Sequence, residues 1–179
     1  QELKNFLILS KEQGLTPLDV YGSYAGAMGY PQFMPSSWRN LAVDFDGDNK
    51  IDLLNNPVDA IGSVANYFKS NGWKSNEAIA TRAKIIADNY DEAITSKELK
   101  TASTLADIKS KGLDVKEGAF ASTMPASALR LQGENGAEFW LAFNNFYVIT
   151  TYNRSTLYAM AVMQLSQALK EARAQVNSS

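Results

Sequence analysis

The chain has 179 residues, of which 45% are hydrophobic, and a net charge of −2, so it can bury one core or a core with a small insert. It shows no basic stripe for nucleic acid and no apolar run near the ~20 residues that span a bilayer. Cys and His are both absent, which excludes thiol chemistry, disulfides, imidazole ligands and His-based triads. Acid–base work falls to carboxylates, Lys or Tyr, and any metal must be a hard, oxygen-seeking ion. No signal sequence is visible. Because residue 1 is Gln, the natural start of the gene product is expected to precede it, together with any leader or lipid anchor.

Residues 2–13 place Leu3, Phe6, Leu7 and Leu9 in a helical pattern, with Gly14 as its stop. Residues 16–35 are rich in Gly, Pro and Tyr and read as tight, close-packed backbone, compatible with short helical segments. Met28, Phe33, Met34, Trp38 and Trp73 are expected in the core. From Asn56 a helix is predicted, with Asn56 as N-cap and Pro57 at the first helical position. Val58, Ile61, Val64, Ala65 and Phe68 form its apolar stripe, and Gly72 ends it.

Beyond residue 74 the pattern changes. Residues 78–86 and 126–131 alternate weakly, as half-buried strands do. Residues 138–151 are aromatic and β-branched and read as strand, with Asn144-Asn145 as a turn. Residues 104–111 suggest a short helix ending at Gly112. Residues 155–175 are predicted helical, with Leu157, Met160, Ala161, Leu165 and Leu169 on one face. The fold class is α+β. The expected layout is a core segment over 1–73 with an acidic loop at 44–59, a small β-containing insert over 74–150, and a closing segment over 151–179.

The acidic loop carries Asp44, Asp46, Asp48 and Asp52 at positions 1, 3, 5 and 9 of an EF-hand calcium loop. Lys50, at position 7, would offer its backbone carbonyl. Position 6 is Asn49 instead of Gly, which Asn tolerates because it enters the left-handed region more readily than most residues. Position 12 is Asn55 instead of the bidentate Glu, so Asp59 is the best candidate for the last ligand, with Asp52 as a substitute. The alternative is a solvated acidic turn. Carboxylates this close repel one another without a cation, which favours a structural Ca2+.

The run GSYAGAMGYPQFMPSSW (22–38) is long and unusual. Together with AVDFDGDNKIDL, NPVDAIGSVANYFKSNGW (56–73) and NFYVITTYNRSTLYAMAVMQLSQAL (145–169), it resembles the lytic murein transglycosylase B family of Gram-negative bacteria. The matching segments cover about half the chain and are weakest between 73 and 127. The resemblance implies a lysozyme-like core, an inserted β domain, an EF-hand-like loop and a periplasmic location, with outer-membrane anchoring only through a lipid outside these residues. It implies non-hydrolytic cleavage of the β-1,4 bond between N-acetylmuramic acid and N-acetylglucosamine, giving 1,6-anhydro ends.

The substrate's own 6-hydroxyl supplies the nucleophile, so one Glu serves as acid and then base, where a hydrolase needs paired carboxylates. By that resemblance the Glu lies upstream of residue 1, and neither Glu2 nor Glu12 matches its motif. Ser23 is then a supporting residue beside the acid. Gln32, Tyr67, Tyr152, Asn153 and Tyr158 are expected to contact the glycan strand. The family's calcium ligands correspond to Asp44, Asp46, Asp48, the Lys50 carbonyl and Asp59, although Asn55-Asn56 adds one residue before the last ligand.

Local readings compete with these assignments. A Ser in a Gly-rich turn also serves as a local hydrogen-bonder, and Asn153 before a helix also serves as a cap. A second functional class is a non-catalytic, calcium-stabilised peptidoglycan-binding module. A calcium sensor is disfavoured because sensors pair their EF-hands and the sequence shows one loop.

Overall fold

Gly14 adopts φ 64 and closes helix α1 (Glu2–Gln13) by donating its N–H to the Ser10 carbonyl, as expected for a glycine C-cap. The computed structural model describes residues 1–95, 103–116 and 118–177, which divide into two compact units, Gln1–Asn71 and Gly72–Ser179. Residues 96–102 and 117 of the expected insert lie outside the described residues.

In the first unit, residues 20–34 form the expected tight backbone, with isolated bridges pairing Gly22 with Met28 and Met28 with Phe33. Helix α2 (Pro35–Leu41) follows, with Pro35 at its first position. The sequence pattern does not assign this helix. Contacts with α1 support it instead: Ser36 N–H donates to the Glu2 carboxylate at 2.9 Å, and the Arg39 guanidinium forks onto Glu12 at 2.8 and 2.9 Å. Leu9, Met28, Phe33, Trp38 and Leu53 are buried.

Helix α3 (Pro57–Ser70) begins as predicted, with the Asn56 side chain accepting from the amides of Val58 and Asp59. Its buried face differs from the expected one. Asp59, Ala60, Gly62 and Ser63 are buried, whereas Val58 is 43% and Ile61 69% exposed. The small, polar side is the one covered because the preceding segment lies directly on it. A Cβ on Gly62 would sit 2.3 Å from Phe45 Cγ. Ser63 Oγ accepts from Val43 N–H at 3.0 Å, and Asn66 Nδ2 donates to the Leu41 carbonyl at 2.8 Å.

The second unit is built on a four-stranded antiparallel sheet in the order β1-β6-β5-β3, made by β1 (Ala80–Arg82), β3 (Ser103–Thr104), β5 (Pro125–Gly133) and β6 (Gly136–Ala142). Strands β2 (Lys84–Ile85) and β4 (Leu113–Asp114) pair separately. Helix α4 (Leu105–Ser110) starts with a reciprocal capping box between Thr104 and Asp107. Its Leu105 and Ile108 join Leu113, Ala126, Leu141 and Phe143 in one apolar cluster.

Residues 138–151 do not form a strand with a turn at Asn144-Asn145. Strand β6 stops at Ala142, and helix α5 (Asn144–Tyr152) follows. Burial overrides the β-branched composition here. Phe146, Val148 and Ile149 are all buried, and the hydroxyls of Thr150 and Thr151 donate back to the carbonyls of Tyr147 and Val148. Asn145, fully buried, clamps the chain that enters the unit: it accepts from Lys74 N–H at 2.9 Å and donates to the carbonyls of Lys74 and Glu77.

Helix α6 (Thr156–Val176) is capped by Ser155, whose hydroxyl oxygen accepts from Tyr158 N–H. Ala159, Met160 and Met163 are buried, but Leu157, Leu165 and Leu169 are each 62% exposed, so the expected apolar face is only partly covered. We predict that Asn145→Ala destabilises the protein by roughly 2–3 kcal/mol, because it removes three hydrogen bonds that a fully buried amide makes to the backbone of 74 and 77. Asn144→Ala, which removes an exposed bond to the Gly72 carbonyl and a longer one, 3.3 Å, to Asn145 Oδ1, should cost less than about 1 kcal/mol. Chemical denaturation of both variants checks the contrast.

Candidate functional site

The acidic loop closes on a single residue of α3. Asp59 is fully buried; its Oδ1 accepts from Phe45 N–H at 2.8 Å and its Oδ2 from Asp52 N–H at 2.9 Å. One carboxylate thereby holds both ends of the loop. Oxygens of Asp44, Asp46 and Asp59 all lie within 4.8 Å of one another. Asp44 also accepts from the amides of Gly47 and Asn49, and Asn56 Nδ2 ties Asp46 at 2.8 Å. Asn49 adopts φ 70, the left-handed conformation that position 6 requires.

Among the described residues, no Lys or Arg forms an ion pair with this trio. A buried carboxylate satisfied only by amides beside two further carboxylates is an unbalanced charge, which an oxygen-seeking cation would balance. The donor set suits Ca2+, which takes carboxylates and carbonyls. Asp48 stands apart from the trio, with Oδ1 engaged by Lys50 N–H at 2.8 Å. Asp52 turns toward the chain that follows it, accepting from the amides of Leu54 and Asn55 and from the Asn55 side chain.

Ser23 and Gln32 lie on the tight segment of the first unit. Ser23 lines a cavity of about 330 Å3 with Glu2, Leu3, Phe6, Tyr24 and Met28. Its hydroxyl oxygen accepts from Ala27 N–H at 3.1 Å, so it acts locally while remaining exposed. Gln32 adopts φ 51 and lines a groove of about 710 Å3 with Tyr21 and Tyr30, its Nε2 donating to the Gly29 carbonyl at 3.0 Å. A non-glycine residue held in the left-handed region, between buried Pro31 and Phe33, stores strain of a kind concentrated at functional positions. Tyr67, on α3, packs against Phe33 with ring centroids 5.7 Å apart.

Tyr152, Asn153 and Tyr158 belong to the second unit. The Tyr152 and Tyr158 rings stack nearly parallel at 6.5 Å. Asn153 Oδ1 accepts from Ser155 N–H at 3.0 Å, so its side chain orders the junction between α5 and α6 while Ser155 itself caps α6.

The one carboxylate lining the Ser23 cavity is Glu2, and the Ser36 amide beside it holds its proton affinity below the ordinary carboxylate range. Glu12 is lowered by its hydrogen bond to Arg39, and Glu138 by its bonds to Arg82 and Trp140. Asp52, Asp107 and Asp114 shift in the same direction. A general acid working near neutral pH needs the opposite shift. Among the described residues, no carboxylate with a resolved shift is tuned that way.

The chain belongs to the transglycosylase SLT domain family, whose model matches residues 1–167. It is 45% identical over 174 residues to the membrane-bound lytic murein transglycosylase B of Escherichia coli, covering 97% of this chain and 46% of that protein. The soluble lytic transglycosylase SltB1 of Pseudomonas aeruginosa superposes with a TM-score of 0.90 at 45% identity, over 97% of this chain and 57% of the other. The Escherichia coli lytic transglycosylase Slt35, solved in complex with calcium, gives 0.85 at 44% identity, over 97% and 53%. The chain thus spans about half the length of the relatives it matches.

Two features escape a reading by spacing alone: Gly62, whose missing side chain admits Phe45, and Asn56, which joins the helix cap to Asp46. A glycine inside a strong helical pattern is the available signal for the first. Gly62→Ala should destabilise the protein by about 1–3 kcal/mol through overpacking against Phe45, although alanine is the better helix former by about 1 kcal/mol. Thermal unfolding of the variant reads the sign directly.

Proposed function

We propose that this chain supplies one wall of a peptidoglycan-cleaving site, stiffened by a structural Ca2+, and that the reaction is lytic transglycosylation. The observation that carries this reading is the strained, exposed Gln32 in its groove beside Tyr21 and Tyr30, on a chain of the transglycosylase SLT domain family. Amide and hydroxyl side chains hydrogen-bond sugar hydroxyls and acetamido groups, and tyrosine faces cover the apolar faces of sugar rings. Gln32, Tyr67, Tyr152, Asn153 and Tyr158 are assigned to the glycan strand, and Ser23 to support of the catalytic acid.

In the reaction, one carboxylic acid protonates the glycosidic oxygen as the C1–O bond breaks. The muramic 6-hydroxyl then bonds to C1 and returns its proton to the same carboxylate. No water is consumed, and the product carries a 1,6-anhydro ring. We place that acid outside residues 1–179, because Glu2 accepts from the Ser36 amide, which shifts its proton affinity down, opposite to what a general acid needs.

Asp44, Asp46, Asp48, the Lys50 carbonyl and Asp59 form the proposed calcium set. Convergence of Asp44, Asp46 and Asp59 supports three of its members, and a calcium complex of Slt35 supports the choice of ion. The ion, when bound, supplies charge balance and loop closure, and no chemistry is assigned to it. Residues 74–150 are assigned to an insert within a lysozyme-like core completed by 1–73 and 151–179. The exposed apolar rows of α3 and α6 support further polypeptide covering that core. A periplasmic location follows from the substrate.

Sedimentation with purified peptidoglycan, followed by analysis of released muropeptides, tests the reading. The 179-residue chain should co-sediment with the wall, with Gln32→Ala and Tyr152→Ala each weakening retention several-fold, about 1 kcal/mol or more. It should release no 1,6-anhydromuropeptides by itself. Anhydro products from this chain alone would place the acid within it, and products with free reducing ends would replace transglycosylation with hydrolysis.

A further inference from the structure

We propose that the acidic loop positions Gln32: closure of the loop on Asp59 is carried to the Gln32 turn through the backbone contact of Leu53 with Gly29 and Tyr30. The inference rests on the assignments of Ca2+ to the loop and of Gln32 to the glycan.

The connection is short and runs mostly through backbone. Asp59 Oδ2 accepts from Asp52 N–H at 2.9 Å. The next residue, Leu53, is fully buried, and its carbonyl accepts from Tyr30 N–H at 2.9 Å. Gly29, at φ 68, is pressed against the same carbonyl: a Cβ there would lie 2.3 Å from Leu53 O and 2.9 Å from Leu53 C. No other residue fits that contact, so the end of the loop and the start of the turn meet backbone to backbone. The Gly29 carbonyl in turn accepts from both Gln32 N–H, at 3.1 Å, and Gln32 Nε2, at 3.0 Å. The groove that Gln32 lines is bordered by Gly29 and Tyr30 and also by Leu54 and Asn55, the residues that leave the loop.

Two features make this contact responsive as well as supportive. Gln32 is held at φ 51, a conformation costing about 1–2 kcal/mol for a side chain that lacks glycine's freedom. A turn under that strain depends on what braces it. The brace is anchored at Asp59, beside Asp44 and Asp46, where three carboxylates repel one another until a cation joins them. Loop closure and the posture of Gln32 should therefore respond to calcium together.

Residue-resolved amide exchange on the full chain, in calcium and in chelator, tests this beside a calorimetric calcium titration. Calcium should slow exchange at Tyr30 and Gln32 by about tenfold more than at interior α1 amides such as Leu9, which report global stabilisation. The midpoint should match the calorimetric one. Asp59→Asn should abolish both responses. Gly29→Ala, where it folds, should keep the calcium heat, lose the response at Gln32 and weaken binding of a soluble chitotetraose probe. Calcium binding that protects Phe45 and Asp52 but leaves Tyr30 and Gln32 unchanged would overturn the coupling alone. Protection rising equally in α1 would also overturn it. Absence of any calcium heat would remove the cation assignment and the inference with it.

Discussion

A single buried carboxylate organises the first unit. Asp59 receives the amides of Phe45 and Asp52 and sits where Asp44 and Asp46 converge on it. The segment from 41 to 53 is folded against α3 around this point, and the identity of the covered face follows. Phe45 takes the space above Gly62, Ser63 holds Val43, and Asn66 holds Leu41. Burying an anion with only amide partners is costly, and the arrangement makes physical sense as a half-built cation site. An ion bound there would compensate the desolvation with its charge, through the carboxylate and carbonyl ligands that Ca2+ takes.

That arrangement leaves Val58 and Ile61 of α3 on the outside. Ile61 and Val64 border an apolar hollow with Tyr30 and Pro31, while Leu157, Leu165 and Leu169 of α6 are likewise uncovered. Helices with a row of exposed leucines and isoleucines are unusual on a free surface.

Local signals in the sequence were legible, and long-range ones were not. Asn56-Pro57 announces α3, Gly14 ends α1, and the 104–111 pattern announces α4, because each signal acts within a few residues of itself. Which face of α3 is buried depends on a loop folding back over it, and hydrophobic periodicity selected the opposite side. Residues 144–152 carry strand-forming side chains but are helical, since Asn145 and Phe146 meet partners supplied by the rest of the unit. At the site, carboxylate spacing and the tolerance of Asn49 for positive φ were readable. The preference for Asp59 over Asp52 as the last ligand was readable too, and Asp44, Asp46 and Asp59 do lie together, whereas the contact between Gly29 and Leu53 is a fact of tertiary structure. The strain at Gln32 is equally invisible in a linear pattern, yet it is the feature that most singles that residue out.

The measurement that bears most directly on this account is thermal unfolding of the wild-type chain and Asp59→Asn, each in millimolar calcium and in chelator. The wild type should gain several degrees with calcium, as expected for an ion that binds only the folded state. Asp59→Asn should unfold at one temperature in both conditions, below the calcium-loaded wild type. A wild type indifferent to calcium, or an Asp59→Asn variant that still gains from it, would contradict the claim that this carboxylate closes a cation site.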